Sequence, residues 1–258
     1  MDFIKFLGTA GARVVVTKQL RASGGVWLSL QGTNILIDPG PGTLVKCFSS
    51  KPKLSPLDLN GIILTHKHLD HSNDINIMIE AMTEGGFRRK GAVFAPSDAL
   101  NEDPVILKYV REYVEKIEVL VEGEVYSIGN IKFSTPVKHV HPVETYGLII
   151  YSSRITISLI ADTLYFEGLE NYYRGDILIL NTVRLESKSN LKYDIQHLTV
   201  QDAKKIISHI RPKLAILTHF GMTLLKARPW EVAQQLSEEL GIKVISANDG
   251  MQINLSEF

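Results

Sequence analysis

Thr65-His66-Lys67-His68-Leu69-Asp70-His71 follows directly on the apolar stretch Gly61-Ile62-Ile63-Leu64. Four side chains able to bind a metal, His66, His68, Asp70 and His71, fall within six residues at the mouth of a buried strand. On extended chain, His66 and His68 point the same way. Asp70 and His71 come where a helix begins, and adjacent helical residues diverge by about 100°. One pair therefore suits one ion, while the second pair can lean toward a neighbouring ion. Imidazole and carboxylate donors together suit zinc or a similar divalent metal.

The elements around this segment read as follows. Strands are expected at Phe3–Leu7, Val14–Thr17, Val26–Leu30 and Asn34–Ile37, separated by glycine-bearing turns. Ile62–Leu64 then delivers the histidines, and Asp74–Met82 has helical periodicity. A strand at Ala92–Ala95 and a helix at Pro104–Lys116 come next, then a ladder of strands from Ile117 to Ile160. The last third alternates strand Asp176–Leu180, helix Val200–Ile210, strand Leu214–Leu217, helix Trp230–Leu240 and strand Lys243–Ile245, with a final strand near Met251–Leu255. No linker or low-complexity tract divides the chain, so residues 1–258 are expected to form one domain with a two-layer sheet core flanked by helices.

Composition narrows the function classes. Lys plus Arg and Asp plus Glu number 28 each, so the net charge is zero and no general pull toward nucleic acid is expected. The lone cysteine, Cys47, excludes an internal disulfide, lies far from the histidine motifs and reads as a buried or inert thiol. The first residues are too broken by charge for a signal peptide, and no apolar run approaches membrane-spanning length; the expected location is cytoplasmic.

Eight histidines are present. His209 lies on the expected helix before Arg211 and reads as an ordinary surface or packing residue. Ile63-Leu64-Thr65-His66 is echoed by Ile216-Leu217-Thr218-His219, so His219 also stands at the end of an apolar strand. His139 and His141 are two apart on extended chain, and either could face a metal. His197 precedes a helix for which Thr199 is a plausible N-cap, with Asp202 in capping-box position.

Taken in order, these motifs resemble the metallo-β-lactamase fold hydrolases, closest to the tRNase Z-like and phosphodiesterase branch. His66-x-His68-x-Asp70-His71 is similar to the family signature. Ile35-Leu36-Ile37-Asp38-Pro39-Gly40 is similar to its first motif, Ile160-Ala161-Asp162-Thr163 to its later Gly-Asp-Thr motif with alanine in place of glycine, and Leu217-Thr218-His219-Phe220-Gly221 to its last. In the tRNase Z-like branch the ligand histidine precedes a Tyr-Gly or Phe-Gly pair, which here selects His141 before Tyr146-Gly147, with His139 as the substitute if the register shifts. The resemblance implies an α+β fold, a four-layer αββα sandwich of two mixed β-sheets flanked by helices.

It also implies a dinuclear centre for two divalent metal ions, zinc first, with Mn2+, Fe2+ or Ni2+ as alternatives. His66, His68 and His141 would hold one ion; Asp70, His71 and His219 would hold the other; Asp162 would bridge them. Asp38 would orient a ligand histidine or its loop. Asp70 and His197 are the catalytic residues expected: the ions activate a bridging hydroxide as nucleophile, and His197, in a His-x-Thr motif, faces the leaving group as proton donor. The reaction implied is hydrolysis of a small phosphodiester or short nucleotide. Lactonase or thioesterase chemistry, an armless tRNase Z-like ribonuclease and a non-catalytic metal-stabilised scaffold stay open. Long structured RNA is not an expected substrate, because only Ser152-Ser153-Arg154 joins two short strands where an RNA-binding arm would sit. Gly85-Gly86-Phe87-Arg88-Arg89-Lys90 is a candidate phosphate-holding loop. Leu44, Val45, Phe48 and Leu54 could form a homodimer contact, a pocket wall or plain core.

Overall fold

The computed structural model describes every residue except 1, 24, 102 and 187–194. Two mixed sheets lie face to face. The first runs in the order Gln252–Asn254, Phe3–Phe6, Val26–Leu30, Thr33–Ile37, Gly61–Ile63, Ala92–Ala95, Lys116–Val119. The second runs Val244–Ser246, Leu214–Thr218, Ile177–Arg184, Thr156–Ile160, Leu148–Tyr151, Ile131–Ser134, Val125–Ile128, with the short strand Leu198–Thr199 added beside Ile177–Arg184. Hairpin strands pair antiparallel, whereas strands joined through helices pair parallel.

Strand alternation builds the three apolar layers. Ile4, Phe6, Leu28, Ile35 and Ile37 of the first sheet meet Phe133, Leu148, Ile150, Ile157, Ile177 and Ile179 of the second, all essentially sealed from solvent. Their neighbours in sequence face outward. Trp27, Leu36 and Ile62 pack under the helix Ile75–Met82, whose buried face is Ile75, Met78, Ile79 and Met82. Leu178, Leu180, Ala215 and Leu217 pack under the helices Val200–Ile210 and Pro229–Leu240 through Ala203, Ile206, Ile207, Ala233 and Leu236. The four-layer αββα sandwich follows. Among the described residues, no helix is long and apolar enough to cross a membrane.

Two expected elements are corrected. Val14–Thr17, read as a strand from its valines, belongs to the helix Ala12–Thr17. Its lead-in is tied to the far sheet instead: Gly11 donates to the Phe220 carbonyl and Ala10 bridges Phe220, leaving the valines without a strand to join. Pro104–Lys116, read as a helix, holds only a 3-10 turn at Tyr109–Tyr113 before the strand Lys116–Val119. There the Asn76 amide replaces helical hydrogen bonds, donating to the Val105 carbonyl and accepting from the Leu107 amide. The tertiary partner outweighs local propensity.

Parallel strands position the site. Thr33–Ile37 and Gly61–Ile63 end at Asp38 and His66, and Thr156–Ile160, Ile177–Arg184 and Leu214–Thr218 end near Asp162 and His219. These carboxyl ends converge, the usual place for a site in a sheet with parallel strands.

Candidate metal centre

Eight of the sequence-identified side chains meet at this end. His66, His68 and His141 form one group of mutually close donor atoms; Asp70, His71 and His219 form a second; Asp162, His197 and His219 form a third. His71 Nε2 lies 2.8 Å from His219 Nε2, 3.8 Å from an Asp70 oxygen and 3.5 Å from Asp162 Oδ2. His219 Nε2 is 3.4 Å from Asp70 Oδ2. In the other group His141 Nε2 is 3.0 Å from His68 Nδ1, and His66 Nε2 is 3.7 Å from Asp162 Oδ2. Four ligands around one ion at zinc–nitrogen bond lengths would stand about 3.3 Å apart. The observed spacings bracket that value in both groups.

Hydrogen bonds aim the lone pairs. Asp38, at the end of Thr33–Ile37 with φ +54°, accepts from the Thr65 amide (2.7 Å), the Thr65 hydroxyl (2.7 Å) and His71 Nδ1 (2.9 Å). The Thr65 hydroxyl, its proton given to Asp38, accepts from His66 Nδ1 at 3.0 Å. One carboxylate thus places the protons of both His66 and His71 on Nδ1, and their Nε2 lone pairs face inward. His141 Nδ1 donates to the Gln196 carbonyl at 3.0 Å with the same result. His66 Nε2, His197 Nδ1 and His219 Nδ1 are buried with no hydrogen-bond partner. Such unpartnered buried ring nitrogens are costly unless something occupies them, and with the inward Nε2 lone pairs of His66 and His71 the donor set fits divalent cations.

The charge balance agrees. Burial, reinforced by neighbouring imidazoles, holds His66 well below the ordinary histidine range, and burial lowers His68 and brings His141 down to about 4. These rings are neutral and free to donate electron pairs. Burial opposes ionisation of Asp162 and Asp70, but the surrounding imidazoles outweigh it and keep both carboxyls ionised. Burial also works against a proton on His71, yet Asp70, Asp162 and Asp38 together raise its pKa well above the usual value. The field that draws a proton there also draws a cation.

The backbone allows close approach. A Cβ on Gly40 would fall 2.0 Å from the Asp70 carbonyl, and one on Gly11 would fall 2.1 Å from that of His219, which itself has φ +61°.

His141, rather than His139, faces His68. His139 is fully enclosed nearby, its Nε2 accepting from the Tyr173 hydroxyl at 2.6 Å and its Nδ1 donating to the Asp162 carbonyl at 3.2 Å. Tyr173 carries no sequence signal. Asn181 was also missed: it donates to Asp162 Oδ1 at 2.9 Å and orients that carboxylate. The only hint is one amide at the end of the apolar run Ile177-Leu178-Ile179-Leu180. The Thr199–Asp202 capping box is formed as read.

Three peripheral expectations resolve as follows. The loop Gly85–Lys90 is not brought to this site: it precedes Ala92–Ala95, at the end of the sheet opposite His66, and its Lys90 donates to the Leu57 carbonyl. Cys47 is buried, and burial with Asp74 nearby pushes its thiol up to about 12. In the 44–54 segment Leu54 is core, while Val45 and Phe48 are exposed.

The family model described as a beta-lactamase superfamily domain matches residues 33–220. An uncharacterized protein of Methanocaldococcus jannaschii is 31% identical over 263 residues, spanning 98% of this chain and 94% of its own. Ribonuclease Z of Thermobifida fusca is 25% identical over 269 residues, spanning 83% of this chain and 82% of its own. The metallo-beta-lactamase fold protein YhfI of Bacillus subtilis superposes with a TM-score of 0.77 at 19% identity, covering 98% of both chains. With the αββα sandwich and the clustered histidines and aspartates in place, the chain belongs to the beta-lactamase superfamily, as a metallo-β-lactamase fold hydrolase.

Proposed function

We propose that this hydrolase is a dinuclear phosphodiesterase acting on a small phosphodiester or short nucleotide. His66, His68 and His141 would hold one cation, Asp70, His71 and His219 the other, and Asp162 would serve both. Bound there, two divalent cations supply Lewis acidity for phosphate oxygens and lower the pKa of water to about 7. The chain's own residues do the rest. Asp38 and Thr65 fix the tautomers of the ligand imidazoles, and Asn181 fixes the Asp162 carboxylate.

His197 carries the reading. Its Nδ1 is buried, unpartnered and 3.5 Å from Asp162 Oδ2, and the same residue lines a cleft of about 780 Å3 with Leu164, Tyr165 and Thr199. It therefore stands between the metal-binding groups and the space open to a leaving group. Burial lowers its pKa while Asp162 pulls the other way, so a proton taken up there is readily given to a departing alkoxide. The likeness to Ribonuclease Z supports phosphorus as the electrophile. The tight turn between Leu148–Tyr151 and Thr156–Ile160 leaves no room at that point for an RNA-gripping arm, which supports a small substrate.

Hydrolysis of bis(p-nitrophenyl) phosphate and dinucleotides, compared with lactones and thioesters, tests this. Zinc- or manganese-dependent turnover of the diesters, lost on chelation, is expected. Turnover confined to lactones or thioesters would overturn the phosphodiesterase reading, and turnover of none would favour the scaffold.

A further inference from the structure

We propose that Arg184 and the N-terminus of the helix Val200–Ile210 form a subsite for a phosphate carried on the leaving group. The substrate is then a phosphodiester whose departing alcohol bears a second phosphate. This rests on the phosphodiester reading above.

Arg184 ends the strand Ile177–Arg184, beyond Leu178 and Leu180 on its outer face. Its cross-strand partner is Thr199, two residues after His197. The side chain is 9% exposed and lines the same cleft as His197. Among the described residues it makes no ion pair or side-chain hydrogen bond. Held largely buried by the fold and given no protein partner among the described residues, the guanidinium presents to the cleft a planar fork that matches the oxygens of a phosphate.

The acids around the cleft do not fill that role. Asp202 is committed to the cap, accepting from the Thr199 amide at 2.8 Å and hydroxyl at 2.7 Å. Glu239 is paired with Lys204 at 2.6 Å. Glu186 is exposed and makes no ion pair with Arg184. Thr199, Val200 and Gln201 also line the cleft, so the positive end of the 11-residue helix opens into it. An anion held there touches a fixed cation and a helix dipole while the scissile phosphate lies on the far side of His197.

Two measurements test the subsite. In one, kcat/KM is compared for the dinucleotide ApA and for pApA and ApAp, which carry a further terminal phosphate on one nucleoside or the other. At least one phosphorylated form should be favoured by about tenfold or more, as expected for charge-assisted hydrogen bonds. In Arg184→Gln that ratio should fall to about one, and Arg184→Lys should keep part of it. In the other, adenosine 3′,5′-bisphosphate is titrated calorimetrically into metal-free protein. Arg184→Gln should weaken binding about tenfold. Gln201→Glu, an exposed change that leaves the core untouched, should weaken it too. Unchanged ratios and affinities in both variants would overturn the subsite while leaving the diesterase reading intact. Loss of bisphosphate binding without diester turnover in any variant would reject the diesterase reading and retain the anion site.

Discussion

Asp38→Asn isolates one carboxylate without disturbing the backbone, because asparagine also tolerates positive φ. Its Oδ1 can keep the Thr65 amide, which must remain opposite an acceptor. The new amide nitrogen then replaces Oδ2, facing the Thr65 hydroxyl and His71 Nδ1. It is a donor where both groups were donating. His71 must move its proton to Nε2, and Thr65 must turn to donate toward His66 Nδ1, which sends the His66 proton to Nε2 as well. Both inward lone pairs are blocked. Loss of such outer partners costs about 10–100-fold in metal affinity, here expected for each ion. Two hydrogen bonds to an ionised acceptor become neutral ones, a loss of roughly 1–3 kcal/mol in metal-free stability. Competition titration with a chromophoric chelator measures the first effect, and urea denaturation of chelated protein the second. Wild-type affinity at both ions in a folded Asp38→Asn protein would refute the tautomer argument.

Further outcomes are expected. His197→Ala should retain its metal yet slow hydrolysis of diesters with poor leaving groups by about 100-fold or more; an equal loss with p-nitrophenolate esters would argue against proton donation. Chelated wild type should lose stability as the pH falls from 6.5 toward 4. His139 and His141 have folded pKa values lowered to about 4, so below 6.5 the unfolded chain takes up protons that the folded chain refuses. A urea midpoint flat across that window would contradict their burial as neutral rings. Tyr173→Phe should leave His139 Nε2 buried without a partner, lowering stability by about 1–3 kcal/mol. An unchanged thermal midpoint would show that the Tyr173–His139 link carries no energy.

Much of the site is legible because its chemistry is local. His66, His68, Asp70 and His71 sit in one short segment, and apolar strands visibly deliver Asp38, Asp162 and His219 to their ends. Alternation likewise exposes most strands of both sheets, and the Thr199–Asp202 box marks its helix to the residue. What stays hidden depends on pairs far apart in sequence. Tyr173 matters only through His139, and Asn181 only through Asp162. The segment 12–17 carries β-branched residues whose strand preference loses to the attachment of Gly11 at Phe220. The basic loop at 85–90 has suggestive composition, but parallel pairing of Ala92–Ala95 with Gly61–Ile63 puts it at the wrong end of the sheet.

The most direct measurement is elemental analysis of protein loaded with excess zinc or manganese, combined with anomalous diffraction from its crystals. Two cations per chain are expected, one among His66, His68 and His141 and one among Asp70, His71 and His219, with Asp162 touching both. A protein that stays free of metal, or an ion held by other residues while these imidazoles remain unoccupied, would contradict the account.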